Sequence, residues 1–200
     1  MKHIPHPFRL TAGLVLCAAL PASASTVLTF DGEALATYQN TRSSGGWTYS
    51  AATSGPDPVN LAIDNVGRIA GGADHSLGFG YPFVPGSPIT SVSIRTTDGS
   101  AFQLESFVLS DGFGNANLRI QGFLDGSLTA YAPVDRNIFD AASTFNFTGW
   151  DMLDEIRITN STGLADLNFD IDDISYSAAV PEPSSAALLG LAALAIRRRR

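Results

Sequence analysis

Residues 118–132 read L-R-I-Q-G-F-L-D-G-S-L-T-A-Y-A. Two short apolar runs, Leu118–Leu124 and Leu128–Ala132, flank Asp125-Gly126. Both turn residues tolerate positive φ, which is what a two-residue hairpin of the primed type requires. The pair predicts two antiparallel strands joined by a tight turn.

Outward from this hairpin the same grammar repeats. Val92 and Ile94 alternate with Ser91, Ser93 and Arg95, and Ile156 and Ile158 alternate with Glu155 and Arg157. A period of two sends one face of each strand to a core and the other to water. Strands are predicted at Val27–Phe30, Trp47–Ala51, Val59–Ile63, Ile89–Thr96, Phe102–Leu109, Leu118–Leu124, Leu128–Ala132, Thr144–Phe147, Glu155–Thr159 and Leu167–Tyr176. No segment between them carries a sustained helical stripe, and Gly and Pro punctuate at short intervals. The expected fold is all-β: an antiparallel two-sheet β-sandwich of jelly-roll type. Two stretches, Thr41–Pro58 and Gly67–Pro88, read as long loops rich in small and turn-forming residues.

The ends of the chain differ from this middle. Lys2 and Arg9 precede an apolar run, Leu10–Leu20, and Ala22 and Ala24 supply small residues in the A-x-A arrangement. Residues 1–24 therefore read as a secretory signal peptide cleaved after Ala24. Cys17, the one cysteine, lies inside the apolar run, so the mature chain has no thiol. At the other end, V-P-E-P-S-S is followed by an apolar run, Ala186–Ile196, and then by Arg197, Arg198, Arg199 and Arg200. Even counted from Ser184, a helix of thirteen residues spans roughly 20 Å against about 30 Å of hydrocarbon. It is a short hydrophobic helix, too short for a comfortable permanent anchor, with prolines stopping it on one side and a basic block on the other.

Pro181, Glu182 and Pro183, the Ala/Leu segment and the block Arg197 to Arg200 together resemble the PEP-CTERM sorting signal of Gram-negative bacteria. The resemblance implies a tail that enters the membrane transiently and is processed by exosortase. It further implies export across the inner membrane by the secretion machinery and a place at the cell surface or in the extracellular matrix of a biofilm. The domain reading is thus 1–24 signal peptide, 25–179 sandwich and 180–200 sorting tail.

Within the body the charge is lopsided. All but one of the chain's 19 acidic residues fall there, against six of its 12 basic residues, leaving a net charge of −12 and no lysine. A surface for nucleic acid is not expected on such a body. Extracellular polysaccharide is a partner compatible with it.

The aromatics of the two long stretches, Trp47, Tyr49 and Tyr81, are candidates for stacking on sugar faces; alternatively they close the ends of the sandwich. His75 is the body's one histidine, so neither a multi-imidazole metal site nor a triad with a spare base can be assembled. No G-x-S-x-G elbow occurs. The expectation is a non-catalytic binding or structural domain. The alternative is a secreted glycoside or ester hydrolase working with carboxylates alone.

The last predicted strand carries the most specific local feature. Asp166, Asn168, Asp170 and Asp172 share one parity and Leu167, Phe169 and Ile171 the other, and then Ile174 and Tyr176 reverse the phase. A β-bulge near Asp172-Asp173 would restore it. An EF-hand is excluded, because Ile171 stands where glycine is required and Ser177 where the closing glutamate belongs. F-D-G-E at Phe30–Glu33 and I-D-D-I-S-Y at Ile171–Tyr176 resemble the terminal strands of calcium-stabilised jelly-roll carbohydrate-binding modules. The resemblance implies one structural calcium held by Asp31, Glu33 and Asp172 or Asp173.

Overall fold

The computed structural model describes residues 24–32, 39–55, 61–64, 75–79, 88–110, 116–129, 134–138, 142–162 and 167–179. Every regular element in them is a strand. The first sheet runs β11 (Ser143–Asn146), β7 (Phe102–Ser110), β13 (Phe169–Ala178), β5 (Ser76–Phe79) and β4 (Leu61–Asp64), with β1 (Thr26–Leu28) also paired to β13. The second runs β10 (Val134–Ile138), β8 (Ala116–Leu124), β12 (Glu155–Asn160), β6 (Ile89–Thr96), β3 (Trp47–Thr53) and β2 (Thr41–Ser44), with β9 (Ser127–Leu128) on β8. All the ladders are antiparallel. From β6 to β13 the chain passes repeatedly from one sheet to the other, which is the winding of a jelly roll.

The period-two pattern dictates what fills the space between the sheets. On β3, Trp47, Tyr49 and Ala51 point inward, on β6 Val92 and Ile94, on β12 Ile156 and Ile158. From the first sheet Phe102, Leu104, Phe107, Phe169, Ile171 and Ile174 meet them. Trp47 receives the rings of Phe102 and Tyr176 edge-on, each with centroids 4.8 Å away. Each such large side chain contributes about 1.5–3 kcal/mol by leaving water, so a body without disulfides rests on this layer.

Asp125-Gly126 turns the β8–β9 hairpin as expected, with φ of 51° and 72°. The stretch Thr41–Pro58, however, is not a long loop. Gly45-Gly46, with φ of 57° and 83°, joins β2 and β3 through the closing pair Ser44–Trp47. The strand T-R-S-S has no aliphatic or aromatic side chain to announce it. It is held by backbone pairing at the sheet's edge. Likewise β5 lies inside the segment expected as a loop, Gly67–Pro88, and β10 falls outside the predicted strands, because V-D-R-N-I is apolar only at its ends. The second arm of the hairpin is shorter than the predicted Leu128–Ala132: β9 ends at Leu128.

The phase reversal in the last strand is resolved by a bulge. Asp172 pairs with Val108 and Ser175 with Ser106, so β13 takes three steps while β7 takes two. Asp173 takes up the excess at φ 47°. One pair later Tyr176 meets Leu104, and the extra residue, Glu105, is now on β7. The two irregularities offset each other and return Ile174 and Tyr176 to the core side.

Candidate functional site

Trp47 and Tyr49, candidates either to stack on sugar or to close the ends of the sandwich, are 1% and 0% accessible. Placed on the inward parity of β3, they are core, and no sugar reaches them without unfolding the strand. Tyr81 lies outside the described residues.

The residues expected at a cation are partly assembled by the topology. Leu28 is opposite Ile174 and Leu77 opposite Ile171, so β1 and β5 sit end to end along β13 and leave Asp172-Asp173 facing the gap between them. Asp31 closes that gap: its Oδ1 accepts the backbone N–H of His75 at 3.2 Å. Asp172 is buried and its Oδ1 accepts the amide of Asp173 at 2.8 Å, while Asp173 is exposed. Glu33 lies outside the described residues. Among the described residues no three carboxylate, imidazole or thiol groups converge as a metal shell. The contact between His75 and Asp31 runs through the backbone amide rather than the ring, so it is not an acid–base dyad.

The outward face of the second sheet is not among the sites expected from the sequence, although its alternation is visible there. Register places Ser43, Thr48, Arg95, Glu155 and Phe123 across it in one row and Ser50, Ser93, Arg157 and Gln121 in the next. Glu155 is only 6% accessible although it points outward. Two guanidinium groups enclose it. Arg157 lies 2.9 Å from Oε1 and also donates to it from Nε at 3.0 Å, and Arg95 lies 3.4 Å from Oε2. The Cζ of Arg157 sits 4.2 Å from the centroid of the Phe123 ring, a cation–π arrangement that covers the aromatic. Chemically this face offers hydroxyl, amide and guanidinium donors on adjacent paired strands.

A second polar group lies on the first sheet. Oε2 of Glu105 accepts hydrogen bonds from the hydroxyls of Ser25 at 2.6 Å and Ser175 at 2.8 Å. The Ser25 hydroxyl foremost, and then that of Ser175, hold this carboxyl below the ordinary glutamate value.

Of the expected processing residues, Ala24 is described and exposed; Ala22, Pro181, Glu182, Pro183 and Arg197 to Arg200 lie outside the described residues. No helix among the described residues is long and apolar enough to cross a membrane.

The tail, residues 179–200, matches the PEP-CTERM protein-sorting motif. The motif marks an exported protein sorted by exosortase. No curated protein is similar enough to the chain to count as a relative. Among solved structures, a mutant of CBM29-2 complexed with mannohexaose, a family 29 carbohydrate-binding module, is 17% identical; the match covers 80% of this chain and 94% of that one at a TM-score of 0.43. CBM29_1, the family 29 module from Piromyces equi, is 10% identical over 82% of this chain and 95% of its own, with a TM-score of 0.41. The family 32 module from C. perfringens NanJ in complex with galactose is 18% identical over 66% and 93%, with a TM-score of 0.38.

Proposed function

We propose that this exported, exosortase-sorted chain is a non-catalytic binding protein of the extracellular matrix, and that its sandwich holds polysaccharide on the outward face of the second sheet. The observation that carries the reading is the Arg95–Glu155–Arg157 network over Phe123, set among serine, threonine and glutamine side chains on adjacent strands. Hydroxyl-rich ligands need many directional donors and acceptors held at fixed spacing, and central strands hold them better than loops do. The Phe123 ring, at the β8 end of that lattice, adds an apolar patch for a sugar face once Arg157 swings aside.

A structural calcium in the gap between β1 and β5 is part of the proposal, with Asp31, Glu33 and Asp172 or Asp173 as oxygen ligands. Asp172-Asp173 on β13 faces this gap and Asp31, bonded to the His75 amide, lies beside it; all the residues given to the ion are oxygen donors, the set that calcium takes. Tyr81 stays a candidate contact to the glycan.

A glycan array on the exported protein tests the binding reading. Variants Arg157→Ala and Gln121→Ala should lose binding to the same polysaccharides, whereas Thr144→Ala on the other sheet should not. Equal binding by all variants would discard the face. Hydrolysis of a bound glycan, abolished by one carboxylate substitution, would replace the reading with the glycosidase.

A further inference from the structure

Glu105 is a carboxylate with hydroxyl donors and, among the described residues, no cation paired with it. It stands at the irregular step of β7 beside the start of β1, where Ser25 Oγ bonds it at 2.6 Å and lies 3.0 Å from Ser175 Oγ. Two serine hydroxyls converge on one anion, and one of them belongs to the residue that follows the expected cleavage point. The strand they secure has only three residues and is mostly exposed, so ladder pairing alone anchors it poorly.

We propose that Glu105 is the docking site for the mature amino terminus, a reading that rests on removal of the leader after Ala24. Hydrolysis breaks the Ala24–Ser25 bond. Water gives its hydroxyl to the Ala24 carboxyl and a hydrogen to the Ser25 nitrogen, which then takes up a proton. The new ammonium belongs to the same residue whose hydroxyl already touches Oε2, so it is created within reach of the carboxylate. Opposite charges at such separation favour each other's ionised forms. Before cleavage the site has hydroxyl donors only; afterwards it has an ion pair that pins β1 to β13 and β7. Cleavage thus completes the sheet at its weakest strand.

The composition supplies the test. Lys2 is the one lysine and lies in the leader, so in the mature chain the α-amino group of Ser25 is the one aliphatic amine. Mass spectrometry of the exported protein first establishes its start; a start other than Ser25 overturns the proposal by removing its premise, and is seen separately. Acetylation of that amine is then followed as a function of pH. Wild type should give an amine pKa roughly half to one pH unit above the ordinary 7.7–8.0 for an α-amino group, hence labelling about three- to tenfold slower near neutrality. Glu105→Gln should restore the ordinary value. Identical titration in both overturns the proposal. Should Glu105→Gln not be exported, acetylated and unmodified wild type are compared in thermal unfolding: a lower midpoint on acetylation supports the pairing, and an unchanged one overturns it.

Discussion

Arg157 joins two partners that would otherwise be badly placed on an outward face, lying over the ring of Phe123 at 4.2 Å while bonding Glu155 at 2.9 Å. Phe123 is 8% accessible, and a guanidinium lies on its ring. Arg157→Ala should therefore expose an aromatic and leave Glu155 with the weaker contact to Arg95. A loss of about 1 kcal/mol in denaturant unfolding is expected, in line with a partly exposed cation–π pair and a discounted surface ion pair. If the face binds polysaccharide, affinity should fall by about tenfold as well, equivalent to ~1.4 kcal/mol. Stability lost with affinity unchanged would separate the two roles and remove this face from the function.

Gly122 lies mid-strand on β8, opposite Ile156, in the inward row. A Cβ there would stand 2.6 Å from Leu153 Cδ2, 3.1 Å from Cδ1 and 3.3 Å from Trp150 Cε3. Leu153 is fully buried and cannot retreat into solvent. Gly122→Ala should cost about 1–3 kcal/mol as overpacking. Gly32→Ala, where an added Cβ meets nothing within 4 Å, is the control and should change the midpoint little. Similar effects at the two positions would contradict the close approach.

These two positions mark how much is legible in the chain. The alternation of Ile156 and Ile158 with Glu155 and Arg157 identifies both the core side and the outward side of β12, and the phase reversal after Ile171 locates the bulge at Asp173. What fails has a common cause. Trp47 and Tyr49 look exposed in the sequence because their neighbours are small and polar, yet a strand at parity two buries every other residue whatever lies between. The strands β2 and β10 are defined by backbone pairing rather than by apolar content, so no side-chain pattern reports them. The outward face escapes for the opposite reason. Its residues come from five separate strands, and only the register brings them into rows.

Asp173 holds φ at 47°, in the left-handed region that costs most residues about 1–2 kcal/mol. Asp173→Val should destabilise by that order, whereas Asp173→Gly should be tolerated. Calcium decides whether the acidic gap is more than a turn. Should Asp31, Glu33 and Asp172 or Asp173 hold the ion, the thermal midpoint will rise with calcium and fall with chelator, by about 2.7 kcal/mol of linkage at a hundredfold excess over Kd. Asp31→Ala should abolish the difference. Equal midpoints in calcium and in chelator discard the site.

The hydrogen bonds from Ser25 and Ser175 depress the Glu105 carboxyl below its ordinary value. A group with a lowered folded-state pKa stabilises above its unfolded value, and the contribution disappears as the pH falls through the folded one. Stability should therefore decline on the acid side of the ordinary glutamate range. Glu105→Gln should remove that part of the decline, giving a shallower acid limb in a series of midpoints against pH. Parallel limbs in the two proteins would show that the hydroxyls do not hold the charged form.

Thr26 pairs with Tyr176 across an antiparallel ladder, which brings the expected leader cleavage point and the entry to the tail to the same end of the sandwich. Ala179, the last described residue, is itself fixed there, its amide donating to the carbonyl of Ala101 at 3.3 Å. A folded body thus holds Thr26 and Ala179, the points from which both expected processing segments leave, at one end. The exported protein should have its amino terminus at Ser25 and its carboxyl terminus between Pro181 and Ser184, a difference that intact-mass spectrometry reads directly because the lost tail includes four arginines. Replacing Pro181-Glu182-Pro183 by alanines should leave the Ser25 terminus unchanged and the tail attached. Recovery of the intact Arg197 to Arg200 block on surface-located wild-type protein would show that the tail is not cut.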